Sequence, residues 1–249
     1  MRTFLTAIGF LTRIPVPGAD AGGERLGRAT VFFPLVGAFI GLILIGANAG
    51  AERLWHTAAV DNGLVLLALV LVTGGLHLDG LMDTCDGAFG GRSRERALEI
   101  MKDSRVGAFG VLGAILLLLV KFAFLSALHG DLKWHALLFM PVAGRWALVY
   151  AVAHFPYARP SGTGRAFKDQ VTWAHLVAAS LVAVVVGALV FRLAFLVLAV
   201  AVWFAAWAQG RYLTRKLGGL TGDAYGAIGE VTEAFVLAAV PLAARLSWS

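Results

Sequence analysis

The chain has 249 residues, 59% of them apolar and 14% charged, with a mean hydropathy of +0.80 and a formal net charge of +6. Average soluble domains carry about 25% charged residues, so this chain has more apolar surface than a water-soluble fold of its length can hide, and lipid is its main solvent. The single cysteine, Cys85, excludes an intrachain disulfide and a thiolate zinc cage, and no two of the six His share the i, i+4 spacing of a helical metal pair. The expectation is an all-α, polytopic integral membrane protein forming one membrane-embedded domain over residues 1–249.

In chain order, the N-terminal stretch does not read as a signal peptide. Its apolar run is interrupted by Arg13, closed by Pro15 and Pro17, and lacks a small-x-small cleavage pattern. Phe4, Ile8 and Leu11 recur at helical spacing, which predicts a short interfacial helix on the membrane surface. A spanning helix needs roughly 20 apolar residues. Seven stretches qualify: 29–50, 63–79, 106–127, 134–154, 173–190, 192–208 and 233–247. The fifth and sixth are divided only by Arg192, as a tight hairpin or one broken helix. Gly37 and Gly41, and likewise Gly46 and Gly50, have the Gly-x-x-x-Gly spacing that lets membrane helices pack closely. Most of the 21 Lys and Arg fall in four segments, 1–28, 80–105, 155–172 and 209–232. Basic residues accumulate in cytoplasmic loops, so these four are expected inside, with the N-terminus inside and the C-terminus outside. Most acids follow the same division, which the positive-inside rule does not require, so the cytoplasmic end reads as a working surface.

Four segments on that surface carry candidate chemistry. In residues 74–91 (GGLHLDGLMDTCDGAFGG), Asp79, Asp83 and Asp86 are spaced i, i+4, i+7 and share one stripe of a helix. Like charges so placed repel, and a divalent cation relieves them. Carboxylates without Cys or clustered His favour Mg²⁺. Cys85 lies off the stripe and reads as inert. His77, also off the stripe, is a candidate general base or a structural histidine. The next segment holds Arg92, Arg94, Lys102 and Arg105, which either bind phosphate through charge-assisted hydrogen bonds or hold the loop inside beside anionic lipid. Asp103 is a fourth metal ligand or the partner of Arg105. In the third segment, Ser161, Gly162, Thr163 and Gly164, followed by Arg165 and Lys168, form a loop able to wrap a phosphate, although it lacks the P-loop pattern. The fourth holds Asp223, Glu230 and Glu233. The two glutamates stand at the start of the last predicted span, either capping it or binding a metal or substrate amine.

The stretches FLTRIPVP (10–17), GGLHLDGLMDTCDGAFGG (74–91), MKDSRVGAFG (101–110) and GLTGDAYGAIGEVTE (219–233) together resemble the cobalamin synthase, or adenosylcobinamide-GDP ribazoletransferase, family, in the same order and over most of the chain. The resemblance implies a Mg²⁺-dependent membrane enzyme. It would join adenosylcobinamide-GDP to α-ribazole or α-ribazole 5′-phosphate and release GMP, with its active site facing the cytoplasm from the cell's inner membrane. It points to Asp79, Asp83 and Asp86 as metal ligands. The lipid bilayer is the expected surrounding, no nucleic acid is expected as a partner, and a homo-oligomer stays open. Asp83-x-x-Asp86-Gly87 is also similar to the opening of the CDP-alcohol phosphotransferase signature, but Ala88-Phe89 follows in place of Ala-Arg, and the later Gly-x-x-x-Asp-x-x-x-Asp is missing. A polytopic transporter is the non-enzyme alternative. It fits less well because the acids gather at one face rather than at the midplane.

Overall fold

The computed structural model describes residues 2–17, 25–160 and 163–247. Among them the regular structure is helical, joined by short loops, with one isolated bridge between Tyr157 and Leu220. The N-terminal helix α1 (Arg2–Leu11) buries Thr6, Ala7 and Leu11, and Phe4 meets Phe32 edge to face, so α1 docks on the protein as well as at its boundary. A short helix α2 (Arg25–Ala29) runs through a 3₁₀ turn into α3 (Phe33–Trp55), and α4 (Ala58–Thr73) returns. Then come α5 (Leu76–Gly90), the short α6 (Arg94–Ile100), α7 (Ala108–Ala127) and α8 (Gly130–His154). The chain ends with α9 (Thr163–Gln170), α10 (Trp173–Phe191), α11 (Ala194–Leu217) and α12 (Gly222–Ser247).

Six helical runs are long and apolar enough to cross a bilayer: Leu26–Trp55, α7, α8, α10, α11 and α12. The pair α4 and α5, bent by 92°, brings the number to the expected seven. Helix α11 runs on to Leu217, past the expected end at 208, and two further boundary changes bear on the site. The stretch 63–79 is not one helix, because Gly74 and Gly75 both adopt left-handed backbone (φ 63° and 67°) and close α4 through bonds to Leu71 O and Val70 O. The chain restarts as α5, so the Asp motif rides on a separate helix. The last helix begins at Gly222 rather than 233, which puts Glu230 and Glu233 inside it instead of at its start. Arg192 (φ 51°) and Leu193 separate α10 from α11 as two helices.

Helix α8 is the hub, packed by α3, α10, α11 and α12 and buried along most of its length. Ala136, Ala143, Gly144, Ala147 and Ala151 keep its surface low, so neighbouring backbones come close. A Cβ at Gly37 would lie 2.5 Å from Pro141 O, and one at Gly41 would lie 2.6 Å from Leu138 O. Pro141 leaves the Leu137 carbonyl without its helical donor, and that carbonyl faces Gly41. The expected packing role holds for this glycine pair and fails for the other: Gly46 and Gly50 face open space. Large apolar side chains such as Leu116, Leu181, Leu189 and Val200 point outward, as a lipid-facing surface requires.

The four polar segments meet at one end of the bundle. Phe10, Phe33 and Phe167 stack together, and Gly27 N–H donates to Gln170 Oε1 at 2.9 Å. Ala158 N–H donates to Leu220 O, and Leu220 N–H to Pro156 O, both at 2.8 Å. Arg94 Nη2 reaches Ala158 O, and Arg159 Nη2 reaches Met101 O.

Candidate active site

Helix α5 lies between the beginnings of α7 and α12. Gly80 allows this approach, since a Cβ there would stand 2.8 Å from Asp223 O. The stripe of three aspartates is therefore shared between two neighbours. Asp86 turns to α7: its Oδ2 accepts from Gly107 N–H and its Oδ1 from Gly110 N–H, both at 2.8 Å, and it is buried. A carboxylate at a helix N-terminus satisfies N–H groups that have no partner within the helix and meets the favourable end of its dipole. Each Asp86 oxygen thus accepts one N–H from the first turn of α7, which ties the stripe to that helix and leaves each oxygen a further lone pair.

Asp83 and Asp79 face the first turn of α12 instead. Half-buried Asp83 is surrounded electrostatically by Asp223, Asp79 and Asp86, with Arg159 as the facing cation. Asp223 in turn feels Arg159 and Asp79. Thr221 holds the start of α12: its hydroxyl accepts from Ala224 N–H at 3.2 Å and donates to Asp223 Oδ2 at 3.3 Å. Three carboxylates from two remote motifs, Asp79, Asp83 and Asp223, thus share a face with one guanidinium. Among the described residues, no group of three or more His, Cys, Asp or Glu is drawn tightly enough to hold a metal by itself. Mg²⁺ usually keeps several waters and takes one or two carboxylates plus substrate phosphates. An all-oxygen face that is not converged on one point fits that mode, and Asp223 adds a carboxylate to it that the helical stripe did not announce.

The other expected residues are distributed differently. Glu230 and Glu233 do not cap a helix or face the surface. Lys121 Nζ of α7 donates to Glu230 Oε2 and Glu233 Oε2, both at 2.6 Å, and Arg145 of α8 pairs with Glu233 Oε1. All four are buried, and buried His77 lies in the field of Arg145, Glu233 and Lys121. His77 therefore belongs to this buried cluster, away from the Asp79–Asp83 face. Spans are costly places for charge, and each glutamate answers a base that the chain carries inside a predicted span. Gly144 makes the room, since a Cβ there would meet the Glu233 side chain at 2.7 Å.

Of the two readings of Asp103, the structure selects the partner of Arg105. Arg105 Nε and Nη2 both bond its carboxylate, with Nη2 at 2.6 Å from Oδ2. These hydrogen bonds hold the Asp103 carboxyl down at about 2. The Arg105 side chain is 88% exposed. Arg165 pairs with Asp169 on the surface. Lys168 Nζ donates to Val152 O at 2.6 Å and Ala153 O at 3.1 Å, so it caps the end of α8, and burial lowers its pKa. Arg92 and Lys102 are exposed. Of the proposed phosphate loop, Ser161 and Gly162 lie outside the described residues, as does the Thr163 side chain. Cys85 lines an apolar groove between α5, α7 and α12. Sequence spacing missed Arg159, Lys121 and Arg145 as participants. For the last two the available signal was their position inside apolar spans; for Arg159 there was none.

A family model described as cobalamin-5-phosphate synthase matches residues 3–241. The adenosylcobinamide-GDP ribazoletransferase of Desulforamulus reducens is 42% identical over 231 residues, covering 93% of this chain and 92% of the relative. The enzyme of the same name from Roseiflexus sp. is 41% identical over 241 residues, covering 96% and 89% respectively. That of Herpetosiphon aurantiacus is 42% identical over 235 residues, covering 94% of each. No solved structure matches the chain.

Proposed function

The chain belongs to the cobalamin-5-phosphate synthase family, and on that premise we propose that it is an adenosylcobinamide-GDP ribazoletransferase that uses Mg²⁺ at the cytoplasmic face of the cell's inner membrane. The observation that carries this reading is the meeting of Asp79 and Asp83 with Asp223 at the end of the bundle where the polar segments gather. The reaction joins a ribazole hydroxyl oxygen to the phosphorus that bears the corrinoid's aminopropanol arm. The bond from that phosphorus to the bridging pyrophosphate oxygen breaks, GMP leaves with the bridging oxygen, and the hydroxyl proton is given up.

Asp79, Asp83 and Asp223 would hold the metal, which supplies charge neutralisation on the phosphates when bound. The ribazole hydroxyl proton would pass to solvent, since the three carboxylates would be engaged by the metal. A nucleotide pyrophosphate adds negative charge to a face that holds three carboxylates and one arginine. At an effective dielectric of about 20, two like charges 4 Å apart repel by about 4 kcal/mol, so the substrate binds there only with cations beside it. The anchored start of α12 and the two backbone bonds between residues 156–158 and Leu220 keep this face in place before substrate arrives, which lowers the cost of organising it.

The test is reconstitution. Purified protein in lipid vesicles is incubated with adenosylcobinamide-GDP, α-ribazole and Mg²⁺, and GMP and the corrinoid product are measured. Release of GMP that requires both substrates and stops on chelation of the metal is the expected result. A protein that releases none with both substrates present contradicts the assignment. Turnover that persists in a chelator removes Mg²⁺ from it.

A further inference from the structure

We propose that Arg159 is the residue that grips the pyrophosphate of the nucleotide-bearing substrate, an inference that rests on the ribazoletransferase reading. Its guanidinium is the cation facing the carboxylates of the candidate site: it acts electrostatically on Asp83, Asp223 and Tyr157. Yet its donors are almost unspent. The ion pair to Asp223 Oδ2 is 3.6 Å long, and the contact from Nη2 to Met101 O is 3.4 Å. Both exceed the 2.7–3.2 Å range of ordinary N–H···O bonds. Its buried Nε has no partner, although the side chain is only 17% exposed. A guanidinium so far removed from water normally bonds fully, because unmade hydrogen bonds are costly there. Lys121 shows the contrast, with its ammonium spent on two glutamates at 2.6 Å each.

The backbone holds the residue ready. Pro160 follows it and restricts its conformation. The preceding residues are locked to Leu220 by the pair of 2.8 Å bonds. Gly219 permits this contact, since a Cβ there would lie 2.7 Å from Ala158 N. A planar fork with free N–H groups, fixed beside carboxylates able to take Mg²⁺, matches two adjacent phosphate groups. Four bases of the same segments are engaged elsewhere: Arg105 with Asp103, Arg96 with Glu99, Arg165 with Asp169, and Lys168 with the end of α8.

The experiment measures the kinetics of each substrate with the other saturating, for wild type, Arg159→Lys and Arg159→Ala. α-Ribazole itself is the acceptor, because it carries no phosphate. Arg159→Lys is expected to raise KM for adenosylcobinamide-GDP at least tenfold while KM for α-ribazole stays within twofold. Added guanidinium ion is expected to restore part of the Arg159→Ala activity. Titration calorimetry with adenosylcobinamide-GDP alone should show the same loss of affinity, and thermal unfolding checks that each variant is folded. If Arg159→Ala does not fold, Arg159→Lys carries the decision. Equal changes in both KM values, or a fall in kcat alone, mark a tie between Asp223 and Met101 and overturn the phosphate role. A wild-type protein that releases no GMP overturns the activity, and this role with it.

Discussion

Replacing Glu233 by Gln isolates the energetics of the buried cluster. The carboxylate of Glu233 serves two cations at once, Lys121 through Oε2 and Arg145 through Oε1, and none of the three side chains is more than 2% exposed. After Glu233→Gln, Lys121 keeps Glu230 at 2.6 Å. Arg145 keeps no other acid as an ion-pair partner among the described residues, and its Nε and Nη2 are already unbonded. Arginine does not lose its proton in proteins, so the charge has no escape by titration. Breaking a buried pair by removing one partner costs about 3–5 kcal/mol. The double variant Glu233→Gln with Arg145→Met removes one charge of each sign and is expected to recover most of that loss, giving a coupling of at least about 2 kcal/mol. Thermal unfolding in detergent, followed by the loss of the monodisperse peak on size exclusion, reads both. The single variant should unfold on the order of 10 °C lower, at roughly 2–4 °C per kcal/mol for chains of this size. A single variant as stable as wild type, or a double variant no better than the single, refutes the view that the pair is stabilised by mutual neutralisation.

Asp83→Asn and Asp79→Asn should leave unfolding unchanged and reduce turnover by more than tenfold, with part of the loss regained in excess Mg²⁺. Asp86→Asn should instead destabilise by about 1–3 kcal/mol, since its amide can no longer accept from both Gly107 and Gly110; comparing unfolding with turnover separates the two kinds of aspartate. Gly41→Val should abolish folding, because its Cβ would meet the Leu138 backbone, whereas Gly46→Ala faces open space and should be neutral or slightly stabilising by unfolding temperature. Single cysteines at exposed positions in residues 80–105, 155–172 and 209–232, in a Cys85→Ser background, should resist impermeant thiol reagents in intact cells; labelling of one segment from outside would reverse the topology.

Hydropathy made the helical class and most of the spans legible, because burial in lipid imposes long apolar runs whatever their neighbours are. The basic-residue asymmetry anticipated which four segments share an end. Asp79 and Asp83 were legible as a pair because helical spacing is local. Their partner was not: Asp86 has the same spacing, and only the position of α7 turns it toward Gly107 and Gly110. The break at Gly74–Gly75 was hidden because glycines are common inside membrane helices, and only their φ values reveal the end of α4. Arg159 and Asp223 are separated by a whole hairpin of helices, and nothing in their spacing announces that they meet.

The buried cluster also bears on the transporter alternative. Sequence set Glu230 and Glu233 at the start of the last predicted span. The structure instead buries acids and bases together, 109 residues apart for Lys121 and Glu230 and 88 apart for Arg145 and Glu233. Intramembrane charges often mark a transport path, so this arrangement could have favoured transport. Its geometry argues otherwise. Two carboxylates face two basic groups, the Lys121 contacts are as short as ion pairs become, and the four side chains join α7 and α8 to α12. Moving an ion through such a pin would require separating charges whose exposure is costly. A fixed pin suits a different task. It lies two to three turns into α12, the helix whose first turn presents Asp223, and α12 also packs on α5, which presents Asp79 and Asp83. Fixing α12 deep in the bundle therefore fixes the separation between the two motifs at its end, and the protein's buried charge is spent on holding that carboxylate face together.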